Sequence, residues 1–558
     1  MSVHSTNIKE FFKGDMSHND FTLDEYSYDS SIFELKPELV LYPQDSSDVC
    51  KLVKYAVANK ALHPTLSITP RGAGTCMSGG PINTSLILDM TKHFTHISTT
   101  NDFEIRAQPG AYMRDIDTVL NKNNLMLGCV PASRAMCTIG GMVGNNSGGE
   151  QSLRYGNTEN SVTELKAVLA DGNEYVFSPL NRHQLELKLS QTNFEGEVYR
   201  NIYNLIEENY NLIHNARPRV NKNSMGYNLW SVWNRESGIF DMTHLLTGSQ
   251  GTLGIVTDIK LRLHPKPRHT GLLVMYLKDQ RHLGEIIAKT IEHNPITFEG
   301  FDDITFELGL KNFSLFKKQL GLRTWAKEQS ALLGSVAKLK GHLPNMVLMA
   351  EFEGNTTTEV QDKIAALKRD MRIYKIDTLT TGEDETASGF WRLRRSSLAL
   401  LREKIHDKYA APFIDDLTVE PHKLPEFLPK LRKIIRKYQL PATIAGHFGD
   451  GNFHIIPLLD ISDDKELHKL EPAMREITPL VLQYGGTLAG EHNDGMIRGP
   501  WLPAVFGEDV HQLFKQTKDI FDPSNIFNPH KKTDADWDFS MNNIRRNKTN
   551  ELITIKNS

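Results

Sequence analysis

Hydrophobic positions in this chain follow two spacings, and the mixture changes along its length. In "PELVLYPQDSSDVCKLVKYAVANK" (37–60) a short apolar run predicts a strand, and a helical pattern with Asp and Ser at its start follows. "LSITPRGAGT" (66–75) reads as a strand entering a glycine loop. A second glycine block, "TIGGMVGNNSGG", occupies 138–149. "ELKAVLADGNEYVF" (164–177) predicts strand, Asp-Gly turn, strand, and "LLTGSQGTLGIVTDIKLRLHPKP" (245–267) a glycine loop, a β-rich run and a Pro-rich boundary near 265. After 266 the runs "GLLVMYL", "ITFEGFD", "NMVLMAEFEG", "APFIDDLTVEP" and "PATIAGHFGDGNFHIIPL" read as strands. Helical stretches separate them at 281–292, 356–370, 386–405 and 423–437, and the lysine-rich 310–341 reads as a helical insertion. Strands and helices in this order predict a first part that is α/β or α+β and a second, α+β domain after the boundary.

Composition narrows the class. With 558 residues the chain is long enough for two to four domains. Its 39% hydrophobic and 24% charged content is that of a soluble globular protein, and a net charge of −4 gives no electrostatic case for nucleic acid. No apolar run reaches the roughly 18 residues that a spanning helix needs. The acid-containing start "MSVHSTNIKEFFKGDMSHND" has no signal core. The four cysteines (Cys50, Cys76, Cys129, Cys137) lack the spacing of a zinc knuckle or an iron–sulfur site and read as reduced thiols in a cytoplasmic protein.

Two features carry candidate chemistry. The first is "GHFGDGNFH" (446–454). Two glycines and an Asp inside the run argue against a helix, and Asp450-Gly451 is a strong two-residue hairpin turn. With that pair at the tip, His447 faces His454 and Phe448 faces Phe453, with Cβ atoms roughly 5 Å apart. Such spacing suits two ligands of one metal ion, and equally a hairpin whose histidines have other partners. The second is "PRGAGTCMSGG" (70–80), whose glycines let backbone N–H groups approach phosphate oxygens. It is neither a P-loop nor a simple GxGxxG unit. With 138–149 and 248–254 it gives three glycine loops, suited to a long anionic cofactor or to tight turns between short strands.

Seven segments in order, "PRGAGT", "TIGGMVGNNSGG" with "RYGNT", "KNSMGYNL", "GSQGTLGIVT", "GHFGDGNFH", "GEHNDG" and "DPSNIFNP", resemble the flavin oxidoreductases with a vanillyl-alcohol-oxidase-type FAD domain. The match is to their D-2-hydroxy-acid dehydrogenase branch, which acts on D-lactate, glycolate or D-2-hydroxyglutarate, and covers roughly 36–532. The resemblance implies a two-part FAD-binding domain of the PCMH type (36–265) after a lead-in (1–35). A substrate domain with an antiparallel sheet and the histidine hairpin (266–482) would follow, then a segment returning to the FAD domain (483–535) and a loose polar tail (536–558).

The resemblance also implies site roles. FAD would be held by Pro70, Arg71, Gly72, Ala73, Gly74, Thr75, Ser78, Gly79, Pro131, Thr138, Gly140, Gly141, Gly144, Asn145, Asn146, Ser147, Gly148 and Tyr155. Gly251, Gly254, Ile255 and Val256 would flank its adenine end, and Asn528 would sit near the isoalloxazine. Thr75 and Cys76 stand where some relatives carry a flavin-linking histidine, so FAD is expected to be noncovalent. Gln250 stands where the family often has Glu. His447, His454 and Glu491 would bind a divalent metal: zinc, with manganese or iron as alternatives. His492 would be the base, Arg394 of "FWRLRRSSL" would hold the substrate carboxylate, and Asn452 would face the substrate. Lys222, Tyr227 and Arg498 are further substrate candidates. Leu398 and Ile414 replace the Thr and Lys of D-2-hydroxyglutarate enzymes. The implied reaction is oxidation of a D-2-hydroxy acid to the 2-oxo acid, with hydride passing to flavin N5.

Long bacterial relatives continue into an iron–sulfur domain, and this chain lacks cluster cysteines. Electrons are therefore expected to pass to a quinone, an electron-transfer protein or a separate iron–sulfur subunit. A cytoplasmic dimer is expected, with a place at the inner face of a membrane as the alternative location. Two rivals remain: a non-redox flavoenzyme like alkylglycerone-phosphate synthase, and a non-catalytic flavin-binding subunit of a larger oxidase.

Overall fold

The run "GLLVMYL" has no polar alternation because both of its faces are covered. In strand His269–Leu277, Leu273, Met275 and Leu277 enter one hydrophobic cluster, while Leu272, Val274 and Tyr276 enter another on the opposite face. This strand belongs to a seven-stranded antiparallel sheet in the order Asp377–Thr381, His269–Leu277, Met346–Gly354, Thr297–Asp302, Ile444–His447, Asn452–Ile455, Leu417–Thr418. Helices Leu283–Glu292, Thr357–Asp370 and Leu424–Lys437 cover one face. The last of these buries Leu424, Phe427, Leu428, Leu431 and Ile435, the spacing of a one-sided helix. Helices Asp303–Asn312, Lys317–Ala337 and Glu385–Arg395 cover the other face. The computed structural model describes residues 3–101, 103–337, 339, 343–382, 385–405 and 408–546.

Two smaller sheets build the preceding part of the chain. Leu39–Tyr42, Leu86–Asp89 and Ile68–Arg71 are parallel neighbours, with Asp15–Ser17 antiparallel at the edge. Asp45 caps helix Ser46–Asn59 by accepting from the Asp48 amide, as the sequence signal predicts. An antiparallel five-stranded sheet follows in the order Ile97–Asn101, Glu104–Ala107, Ile255–Arg262, Val162–Val168, Glu174–Phe177. The Asp-Gly turn at 171–172 joins its last two strands. The chain as a whole is α+β.

The helical stretch expected at 386–405 is two helices, Glu385–Arg395 and Ser397–Lys404, separated at Ser396. Residues 310–337 are helical, with a break at Gly321, whose φ is +72°; residues 338, 340 and 341 of the expected insertion lie outside the described residues. A correction applies to the loose tail expected from 536. Trp537–Asn542 is a helix, the Trp537 ring meets Trp501 edge-on at 5.5 Å, and Ile544 bridges Phe33. Two aromatic residues in an otherwise polar segment hold it down. From 547 onward the expected tail lies outside the described residues.

Candidate functional site

The histidine hairpin forms with a register different from the expected one. Strands Ile444–His447 and Asn452–Ile455 pair His447 with Asn452 and Ala445 with His454. The connection is four residues, Phe448–Asp450 in a tight turn and Gly451 at φ +67°. A two-residue turn of the favoured type needs positive φ at both central positions, and only Gly451 supplies it. The slip of the pairing by two residues leaves both histidines on one face, because side chains alternate with a period of two. They sit diagonally, with ring centroids 5.3 Å apart.

Asn452 does not take the role expected for it. Fully buried, it donates to the Asp416 carboxylate (2.9 Å) and the Thr418 hydroxyl (3.0 Å), behind the site rather than facing it.

Around the two imidazoles lies a carboxylate framework. His447 Nδ1 is 2.6 Å from Glu299, whose strand pairs Gly300 with Gly446, so Glu299 lies across from His447. His454 Nδ1 is 3.2 Å and His492 Nδ1 2.6 Å from opposite oxygens of Asp415. A carboxylate only accepts, so each Nδ1 carries the proton. Each Nε2 then faces one atom, Glu491 Oε1, at 3.3 Å (His447), 3.2 Å (His454) and 3.7 Å (His492). Lone pairs of neutral imidazoles aimed at a carboxylate oxygen repel unless protons or a cation lie between them. The ligand atoms of His447, His454 and Glu491 all lie within 4.8 Å of one another. This donor set, with carboxylates fixing the outer ring nitrogens, fits a divalent cation.

Electrostatics follow from that framework. Burial pulls the His447 and His454 imidazoles down, but Glu299 raises the first, and Asp415 with Glu491 the second, above their usual value. Burial opposes the charge of His492 as well, yet Asp415 and Asp416 lift it to about 9. Burial alone would raise Asp415; His492 and His454 hold it well below the carboxylate range. Burial also works against the Glu491 carboxylate, which Lys222 and His447 hold well down. Lys222 donates to Glu491 Oε2 and to the Gly149 carbonyl, both at 3.2 Å. Its remaining neighbour, Asp450 at 3.7 Å, is buried with no hydrogen-bond partner among the described residues, and burial raises its carboxyl.

A single cavity joins this cluster to the glycine loops. Its walls include Pro70 to Met77, Gly80, Pro131, Thr138, Gly140, Gly141, Gly144, Asn145, Ser147, Gly148, Gly251, Gly254 and Val256. Arg394, Arg395, Leu398, His447, His454, Ile456, Glu491 and His492 line the same space. Gly148 is the hinge point: a Cβ there would lie 2.3 Å from Glu491 Oε2, so the loop can reach the cluster only as glycine. Gly72 is similarly required, since a Cβ would meet the Thr138 hydroxyl at 2.2 Å. The glycine-walled trough suits a long anionic cofactor laid against backbone.

Several expected contacts are absent from this wall. Ser78, Gly79, Asn146, Tyr155 and Ile255 lie behind it. Ser78 accepts from Gln250 Nε2 (3.2 Å), Asn146 accepts from the Glu159 amide, and Tyr155 packs on His264. The Arg71 guanidinium turns away to the Tyr28 and Pro81 carbonyls. Asn528 is buried behind the loops, accepting from Thr69 and donating to the Gly80 and Gln250 carbonyls. Tyr227 bonds Thr252, and Arg498 donates to the carbonyls of Pro412, Asn493 and Asp415; both lie off the cavity, as do Lys222 and Ile414. Arg394 does line it, held by Glu299 at 2.8 Å. Gln250 donates to Asn145 Oδ1 (3.0 Å) and accepts from the Gly495 amide (2.8 Å), a pairing that an ionised Glu could not make.

Sequence reasoning missed Glu299, Asp415 and Asp416. The available signal was a Glu inside "ITFEGFD" and an Asp pair inside "PFIDDLTV", carboxylates in runs otherwise apolar enough to be buried. Buried carboxylates are seldom without partners.

Comparison with known proteins matches residues 37–178 to the family described as "FAD binding domain" and residues 266–532 to "FAD linked oxidases, C-terminal domain". The D-2-hydroxyglutarate dehydrogenase of Pseudomonas putida is 27% identical over 93% of this chain and 50% of its own length. The glycolate oxidase subunit GlcD of Bacillus subtilis is 28% identical over 91% of both chains. The D-lactate dehydrogenase of Archaeoglobus fulgidus is 25% identical over 88% of this chain and 90% of its own. The chain thus spans about half the length of the D-2-hydroxyglutarate relatives it matches. Among solved structures, a 4-ethylphenol oxidase from Gulosibacter chungangensis superposes with a TM-score of 0.67 at 14% identity, covering 97% and 99% of the two chains. An alkyldihydroxyacetonephosphate synthase gives 0.65 at 16%, covering 95% and 86%. No helix among the described residues is long and apolar enough to cross a membrane.

Proposed function

Because this chain belongs to the FAD-linked oxidases, we propose that its cavity holds FAD and a D-2-hydroxy acid together and that the protein oxidises the acid to the 2-oxo acid. The observation that carries this reading is the continuity of the glycine trough with the His447–His454–Glu491 cluster through Gly148. FAD, bound noncovalently, supplies a two-electron acceptor; a divalent ion held by His447, His454 and Glu491 supplies a Lewis acid. Zinc fits the imidazole–carboxylate set, as do manganese and iron.

The chain's own residues supply the rest. Arg394, fixed by Glu299, presents its guanidinium to one substrate carboxylate. His492, oriented by Asp415 through Nδ1, turns Nε2 to the cavity, where it takes the substrate hydroxyl proton. His492 would serve as that base, since a divalent ion held beside it at Glu491 would oppose a proton on its imidazole by like-charge repulsion. D-Lactate and D-2-hydroxyglutarate are the leading substrates, and the electron acceptor is a quinone or a partner protein.

Anaerobic addition of a panel of D-2-hydroxy acids to the FAD- and metal-loaded protein should bleach the flavin absorbance. Silence across the whole panel would remove this reading. The fold shared with the alkyldihydroxyacetonephosphate synthase leaves a non-redox exchange as the rival, and a non-catalytic flavin subunit is a second. Bleaching by a hydroxy acid separates both from the proposal.

A further inference from the structure

The cavity holds a second arginine beside Arg394, and it is already taken. Arg395 is the last residue of helix Glu385–Arg395. Its Nε and Nη2 reach the two oxygens of Glu150 at 2.7 Å each, a two-point pair. Glu150 belongs to the glycine loop of the flavin-side trough, so the pair bridges the two halves of the chain, and both residues line the cavity. Trp391 supports the guanidinium from the preceding turn, 5.1 Å from its ring centroid. Leu398 and Ile456 supply apolar wall in the same cavity. Arg394, held by Glu299, is committed to the first carboxylate in the reading above, and Arg71 turns to backbone carbonyls. Among the described residues, therefore, no cation on the cavity wall is left for a second substrate carboxylate.

We propose that Glu150 sets the substrate class: by occupying Arg395 and keeping a negative charge at the cavity wall, it selects 2-hydroxy acids with one carboxylate and an uncharged side chain over 2-hydroxy dicarboxylates. This rests on the D-2-hydroxy-acid reading above. A distal carboxylate entering here must displace Glu150 from Arg395 and then sit beside the displaced charge, a repulsive element that discriminates without any contact to the preferred substrate. A small or aliphatic side chain brings no charge against Glu150 and has apolar wall, Leu398 and Ile456 included, to rest on.

The test compares D-2-hydroxyvalerate with D-2-hydroxyglutarate, of equal carbon number, in the FAD- and metal-loaded protein. The native chain should favour the monocarboxylate in kcat/KM. Glu150→Gln should shift the ratio toward the dicarboxylate by about tenfold, mainly through KM, because it frees Arg395 and removes the repelling charge. Glu150→Gln with Arg395→Gln should lose that gain, since its cation is gone. A native preference for the dicarboxylate, or an unchanged ratio in Glu150→Gln, overturns the proposal while flavin bleaching by either acid keeps the functional reading. Failure of every hydroxy acid to bleach the flavin removes both together.

Discussion

At the scale of single residues, the cluster depends on side chains that never face the substrate. Glu299 accepts from His447 Nδ1 with one oxygen and binds Arg394 with the other, so a single buried carboxylate fixes a proposed metal ligand and the proposed carboxylate anchor. Glu299→Gln should lower metal affinity by about 10–100-fold, the usual cost of losing an outer partner of a ligating histidine. Metal analysis after dialysis reads this loss, and the FAD absorbance should stay unchanged, because Glu299 is absent from the glycine trough. Equal loss of FAD would show that the two sites are not separable. The sequence named the histidines and Glu491 but not Glu299 or Asp415. A carboxylate in a strand gains meaning only from what the neighbouring strand places opposite it.

At the scale of elements, the hairpin shows how a local rule fails while its consequence survives. Asp-Gly predicted a tight two-residue turn; the chain makes a four-residue one and pairs His447 with Asn452. The expected meeting of His447 and His454 survives because the slip is even, and Asn452 loses its expected place because its amide is bound by Asp416 and Thr418. Gly451 is the position that the turn cannot do without. Its φ is +67°, and a Cβ would lie 1.8 Å from the Val419 carbonyl oxygen. Gly451→Ala should destabilise the protein by about 1–3 kcal/mol, through left-handed strain and the backbone clash. A lowered melting temperature with reduced metal content is the expected result. An unchanged melting temperature would show that the turn has room to relax.

At the scale of the whole molecule, the C-terminal segment closes the FAD side. Phe527 bridges Ile68, and Asn528 ties together Thr69, on the strand entering the first glycine loop, Gly80 at the end of that loop and Gln250 in the third. Lys518 reinforces this from helix Glu508–Phe521, donating to the Thr252 and Phe527 carbonyls. Asn528→Ala leaves the Gly80 and Gln250 carbonyls without this donor, an arrangement costing about 1–3 kcal/mol. FAD should be lost more readily on gel filtration while metal content is kept, the reverse of the Glu299 result. Retention of FAD at the native level would show that the loops hold their shape without this brace.

What the sequence determined alone is what short-range chemistry determines. The period of its hydrophobic positions announced α+β structure, Asp45 announced a helix start, and the glycine loops, His447, His454, Glu491 and His492 announced cofactor and ligand chemistry in a recognisable order. The periodicity, the helix start and the glycine loops are legible because their physics acts within a few residues, while the roles of Glu491 and His492 are what the family resemblance implies. Tertiary structure decided the remainder. Residues 299, 415, 447, 454, 491 and 492 meet only after strands distant in sequence choose partners and register. Whether Asn452, Tyr227, Arg498 or Asn528 faces a ligand or braces a loop depends on the same choice. So does the bond between Glu150 and Arg395, which are 245 positions apart. Burial then sets the charges of these groups, since a carboxylate or imidazole withdrawn from water takes its state from the neighbours that the fold supplies.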